Sequence, residues 1–189
     1  SGTWTFDYSP AFNNAAAADI TTVTAPDGTH KYYHYGWSGV IGGQLWNVGL
    51  RAFEEHFDTN GTLVKQVRNT WDYQVISQED YRRGRDLNKV DHMYAAPILV
   101  KREIWQDGAN YITDYLNHDA YGNPAQIVET GNLDSRTTDL VYRNDTASWI
   151  LGLTESETLQ GIGTIARTYN GYGELETLSE YGVVTQFTY

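Results

Sequence analysis

The sequence predicts an all-β protein, an antiparallel meander of β-hairpins. Three observations carry that reading. Aromatic residues make up 14% of the 189 residues, with 15 Tyr and 6 Trp, and such side chains suit a pleated, half-buried surface. The 18 glycines gather with Asp, Asn and Pro into short turn signals. Between those signals the chain alternates with period two, the repeat of a strand.

Taken in order, the first helical signal is Ala15 to Ile20, where four alanines follow Asn13 and Asn14 as possible caps; a short helix or turn is expected there. Pro26-Asp27-Gly28 reads as a turn leading into the strand-like HKYYH. Leu50 to Phe57, the turn Asp58 to Gly61, and Thr62 to Arg68 form the first clear hairpin. Arg82 to His92 is polar and reads as a long connection. Ile98 to Trp105 runs to an Asp107-Gly108 turn, after which Tyr111, Thr113 and Tyr115 alternate. Further turns are read at Tyr121 to Pro124 and at Asn170 to Gly173. The last run places Tyr181, Val183, Thr185, Phe187 and Tyr189 on one strand face. No low-complexity linker interrupts the chain, so residues 1–189 are expected to form a single β-repeat segment.

The formal net charge is −11, from 13 basic and 24 acidic residues. Nucleic acids and anionic membranes call for clustered Lys and Arg, and the one basic cluster, Arg82-Arg83-Gly84-Arg85, is flanked by Glu79, Asp80 and Asp86. No nucleic-acid partner and no membrane insertion are expected. With no Cys, neither disulfides nor thiolate chemistry is available.

Candidate chemistry is sparse. Gly36-Trp37-Ser38-Gly39 lacks the spacing of a nucleophile elbow. His30 and His34 share a strand face but stand about 13 Å apart, too far for one zinc; His56, His92 and His118 look isolated. Glu54-Glu55 and Glu174/Glu176 are carboxylate pairs of the kind glycosidases use, but repeat-unit carboxylates usually solvate a sheet. No catalytic residue, metal site or cofactor is therefore expected. Carbohydrate stacking is the rival to a purely structural role, with Trp37, Trp71 and Trp105 as candidate platforms; Trp46 and Trp149, among apolar neighbours, are expected in the core.

A repeat runs through the turns. Phe57-Asp58-Thr59-Asn60-Gly61-Thr62-Leu63 is echoed by Tyr169-Asn170-Gly171-Tyr172-Gly173-Glu174-Leu175 and, more loosely, by Tyr115 followed by Asp119-Ala120-Tyr121-Gly122-Asn123. A second element, Gly182-x-x-Thr185-x-Phe187-x-Tyr189, has a looser copy at Gly28-Thr29-x-x-Tyr32-Tyr33-x-Tyr35. These stretches, with the YRNDTASWILG connector beginning at Tyr142, resemble the YD repeats of the Rhs family over about Asp27 to Tyr189. Two departures stand out: Asn170 replaces the usual Asp, and His118 separates Tyr115 from Asp119. The resemblance implies a curved, twisted β-ribbon that forms part of a shell in a secreted or surface-displayed bacterial toxin-like protein. It further implies an encapsulated or adjacent effector domain as partner. The pattern calls for Asp after Tyr189, so a longer parent protein is expected, with self-association through sheet edges.

Overall fold

The computed structural model describes residues 2–10, 18–36, 46–81 and 90–189. Among these residues there are thirteen strands and no helix. They are β1 (Thr5–Ser9), β2 (Ala18–Ala25), β3 (Gly28–Tyr35), β4 (Arg51–Phe57), β5 (Leu63–Tyr81), β6 (Val90–Gln106), β7 (Ala109–His118), β8 (Pro124–Thr130), β9 (Ser135–Asp145), β10 (Ile150–Leu159), β11 (Gly163–Tyr169), β12 (Leu175–Glu180) and β13 (Val183–Gln186). The order across the sheet is the chain order, and the pairings within each unit are antiparallel. The predicted meander of hairpins is therefore present. The chain divides into two compact units, Ser1–Tyr111 and Ile112–Tyr189.

Three local expectations are corrected. Ala18 to Ile20 lie in β2 rather than in a helix, because pairing with Tyr33, His34 and Tyr35 outweighs alanine's helix preference; residues 11–17 lie outside the described residues. Val90 to His92 belong to β6, paired with Glu79 to Tyr81, not to a connection; residues 82–89 lie outside the described residues. Of the five residues read onto the last strand face, Phe187 and Tyr189 lie beyond β13, which ends at Gln186, and Tyr181 is not a strand residue. It has φ 51 and, with Gly182 at φ 91, forms the tight turn between β12 and β13. Two successive left-handed residues match the right-handed twist of the flanking strands, and Asp107-Gly108, at φ 52 and 75, repeats the device.

In the first unit β-bulges decide which side chains meet. Tyr33 faces Phe53 and His34 faces Arg51, so Ala52 is an extra residue in β4. A bulge switches the alternation beyond it. Arg51 thereby joins the face of Tyr32, Glu54 and His56, while Tyr33, Phe53 and Glu55 occupy the other. Val67 of β5 lies opposite both Glu54 and Ile104 and is 1% exposed.

The second unit is an amphipathic layer. One face carries Gln126, Asp139, Thr158, Thr164, Thr168 and Thr177, joined by Gln126–Asp139 (2.7 Å), Thr158–Thr164 (2.9 Å) and Thr168–Thr177 (2.7 Å) hydrogen bonds. The opposite face gathers Tyr115, Ile127, Leu140, Ile165 and Tyr169 around an open groove of about 560 Å³. Among the described residues, Ala25 and Val67 are the buried apolar side chains. In this layer the apolar residues are half-covered by their own neighbours and no further.

Val67→Ala removes two methyl groups from the best-buried position, so urea-induced unfolding should show a loss of about 2 kcal/mol. Val141→Ala, at a side chain 52% exposed, should cost under about 0.5 kcal/mol.

Candidate functional site

The sequence repeat is a repeated turn, built from the same bonds three times. In each copy one Asp or Asn oxygen accepts two backbone amides, two and four residues on. Asp58 Oδ1 takes the amides of Asn60 (2.9 Å) and Thr62 (2.8 Å). Asp119 Oδ1 takes those of Tyr121 (2.8 Å) and Asn123 (2.9 Å). Asn170 Oδ1 takes those of Tyr172 (2.9 Å) and Glu174 (3.0 Å). The main chain closes identically: the first residue's amide donates to the fifth residue's carbonyl, and the fourth residue's amide donates back to the first carbonyl. That fourth residue is Gly61, Gly122 or Gly173, at φ 80, 83 and 83, a conformation glycine adopts without steric cost. The residue before the turn pairs with the one after it, Phe57 with Leu63 and Tyr169 with Leu175.

The irregular copy has a structural cause. Where Phe57 and Tyr169 immediately precede their turns, the second copy carries Leu116-Asn117-His118 between Tyr115 and Asp119. Pairing passes from Leu116–Gln126 to His118–Pro124, and Asn117 between them is left-handed at φ 57, a conformation Asn tolerates better than most residues. Both strands advance two residues between these pairs, so the added length lies within an unshifted register and the turn keeps its geometry.

The YRNDTASW connector ties neighbouring turns together. Asn144 Nδ2 donates to Asp119 Oδ2 (3.0 Å), and Asn144 Oδ1 accepts the Gly152 amide (2.8 Å). Arg143 Nη1 donates to the carbonyls of Tyr169 (2.7 Å) and Asn170 (3.2 Å). Asp145 caps its own four-residue loop through the amides of Ala147 and Ser148. Burial alone would raise the Asp119 carboxyl, but hydrogen bonds from Asn123, Tyr121 and Asn144 outweigh it and hold it below the usual carboxylate range. Backbone amides, first Thr62 and first Ser148 respectively, do the same for Asp58 and Asp145.

A second polar cluster lies in the first unit, on the face of Val67. His30 and His56 sit directly opposite each other on β3 and β4. Their Nδ1 atoms are 2.6 Å apart and their rings meet edge to face. His56 Nε2 lies 3.2 Å from Glu54 Oε2, and Arg51 Nη1 donates to Glu54 Oε1 at 2.9 Å. The Arg51 guanidinium also covers the Tyr32 ring. Glu54 is 5% exposed; burial pushes its carboxyl up, and the bonds from Arg51 and His56 more than reverse that. On the opposite face Tyr33 donates to Glu55 (2.7 Å), and burial together with that carboxylate pushes the phenol up to about 12.

The residues singled out from sequence are not gathered into one site. Trp71 and Trp105 lie on opposite faces of the first unit: Trp71 Nε1 donates to the Arg51 carbonyl (2.8 Å), while Trp105 pairs across from Gln66 under the Arg68 guanidinium. Trp37 and the Gly36–Gly39 stretch beyond Gly36 lie outside the described residues. Trp149, expected in the core, is 83% exposed with φ 54, because it closes the loop that Asp145 caps. Trp46 is half-buried and stacks on Tyr73 at 5.0 Å. Glu54 and Glu55 point to opposite faces, and Glu174 sits in a turn, where it accepts a hydrogen bond from Asn170. His56, read as isolated, meets His30 across 26 residues. Among the described residues no three His, Cys, Asp or Glu side chains surround a common point.

Asp119→Ala removes four hydrogen bonds at once and should cost about 3 kcal/mol in chemical denaturation; Asp119→Asn, which keeps the double acceptor as Asn170 does, should cost less than half of that. Lowered folded-state carboxyl values stabilise above the unfolded value near 4, and that stability is lost as pH falls through the folded values; a thermal-melt series should therefore decline below about pH 4. Tyr33 has the opposite sign: its contribution is complete below the ordinary phenol value of 10.0 and disappears as pH rises towards about 12. Burial also raises the Tyr142 phenol, so spectrophotometric titration should show a late-ionising tyrosine fraction that Tyr33→Phe reduces without abolishing. No protein-family model matches this chain, and no curated protein matches it significantly, so a role has to rest on this architecture and chemistry.

Proposed function

We propose that this chain is a non-catalytic structural module: a YD-repeat β-ribbon of the Rhs type, serving as wall in the shell or scaffold of a secreted or surface-displayed bacterial toxin-like protein. Its partner would be an effector domain of the same parent chain. The carrying observation is the turn that recurs at Asp58, Asp119 and Asn170 with one bonding pattern. A repeated reversal of this kind extends a sheet without limit and creates no pocket of its own. The scarcity of buried apolar side chains among the described residues supports the same reading, since a single sheet layer becomes stable by being stacked on or wrapped around something else.

Imaging the full-length product of the parent gene by cryo-electron microscopy tests this. The expected result is continuous sheet of this type around an enclosed volume that holds a further domain. A product in which these strands form a free-standing domain with nothing on the groove face would sink the idea.

One observation favours a second reading, carbohydrate binding. Three consecutive turns at one end of the second unit each expose an aromatic side chain: Tyr121 (45%), Trp149 (83%) and Tyr172 (87%). Successive hairpins of a meander are about 10 Å apart, and Arg143 and Asn144 fix these three relative to one another. Such a row suits stacking on an extended polysaccharide better than Trp71 and Trp105 do. Electrophoresis through gels containing soluble β-glucans separates the two readings. Binding predicts retardation that Trp149→Ala weakens at least tenfold; a purely structural wall predicts none.

A further inference from the structure

The histidine pair of the first unit is not accounted for by a wall. We propose that His30 and His56 form a two-imidazole site for a divalent transition cation of the copper or nickel type, with water completing the coordination. The two Nδ1 atoms converge at 2.6 Å from adjacent strands. Two nitrogen ligands about 2.0 Å from a metal and at right angles to each other stand about 2.8 Å apart, whereas a tetrahedral pair stands about 3.3 Å apart. The observed separation is nearer the square arrangement, which Cu²⁺ and Ni²⁺ prefer with nitrogen and oxygen ligands.

The surroundings prepare the ligand atoms. Glu54 takes the proton side of His56 at Nε2 (3.2 Å), which leaves the Nδ1 lone pair of His56 directed at His30. A carboxylate behind the far nitrogen of a ligating imidazole is the usual support of a metal-bound histidine. Arg51 locks that carboxylate from its other oxygen (2.9 Å). Adjacent, directly paired backbone positions on β3 and β4 hold the two rings without a loop, so a cation replaces one shared proton with little rearrangement. The charged and titratable groups nearest the pair on this face are Tyr32 beside His30, Glu54 and Arg51 on β4, and Lys65 of β5 opposite His56; Tyr8 of β1, Asp19 of β2 and Arg102 of β6 share the face farther off. Lys65 opposes a bound cation and sets a limit on affinity. His34 shares the face but stands four residues along β3 from His30, beyond the reach of the same ion.

The test uses Cu²⁺ added to the intact chain. Titration calorimetry should give one ion per chain, and the electron paramagnetic resonance spectrum should show two equatorial imidazole nitrogens. His30→Ala and His56→Ala should each abolish that signature. Glu54→Gln should weaken binding about tenfold, Lys65→Ala should strengthen it several-fold, and His118→Ala should leave it unchanged. A wild-type chain without the two-nitrogen signature overturns the proposal, as does its persistence in either histidine variant. If those variants fail to fold by circular dichroism, paramagnetic broadening in the unmodified chain decides. Loss of the His30 and His56 ring signals before those of His34 and His118 supports the site, and any other order refutes it.

Discussion

Every regular reversal in this repeat depends on one oxygen atom accepting two backbone amides. At Asp58, Asp119 and Asn170 that oxygen satisfies donors that the hairpin would otherwise leave to solvent. The rest of the motif follows from it. The amides converge on one oxygen when the fourth residue turns left-handed, which asks for glycine. Chain leaving the turn then returns with its next apolar residue opposite the aromatic that entered it, as Leu175 returns opposite Tyr169. Only the oxygen is required, which is why Asn170 serves as well as Asp. A carboxylate adds a second acceptor, and Asp119 uses that one to bind Asn123 and Asn144. The same residue type thus closes a hairpin in one copy, and in another also joins a hairpin to its neighbour.

This arrangement shifts the source of stability away from a core. The polar face of the second unit is a ladder of Thr, Gln and Asp pairs, each worth a fraction of a kcal/mol beyond its backbone bonds. The groove face is mixed and open: Thr113, Thr138 and charged side chains stand among its apolar residues, and its ion pairs, Glu129–Arg136 and Arg167–Glu157, are exposed enough to contribute little. Close packing is confined to particular points. Tyr181 lies over Gly163, where even a Cβ atom would come within 2.7 Å of its ring; the aromatic shields a glycine in the strand. In the first unit Val67 and Glu54 are buried side by side, and the buried carboxylate is tolerated because Arg51 and His56 meet both of its oxygens.

The meander and its turns were legible in the sequence because their determinants are local. An Asp or Asn, a glycine three residues later and period-two strands on each side are all within one window of the chain. The contacts that were not legible are those that depend on register. His30 and His56 meet only if β3 and β4 pair in one alignment, and Arg51 reaches Glu54 only because Ala52 bulges. Composition pointed to tryptophans as a group, but a one-residue change in register moves a side chain to the opposite face. Trp71 and Trp105 are separated in that way. The helix read at Ala15 to Ile20 failed over its described part because strand pairing, a non-local term, overrode alanine's local preference.

Trp149 shows where local rules and apparent purpose part. Its neighbours Ile150 and Leu151 gave it the look of a core residue, but the Asp145 cap forces the loop to close one residue later than in the glycine-bearing turns. The closing position is left-handed, and a bulky side chain there costs on the order of 1 kcal/mol. Glycine or asparagine would fill it with less strain, as Asn117 does in β7. A strained tryptophan that is also 83% exposed gains nothing from packing within its own unit to offset that cost. The left-handed closing position and the Asp145 cap thus set Trp149's exposure, and the apolar neighbours that follow it in the sequence do not.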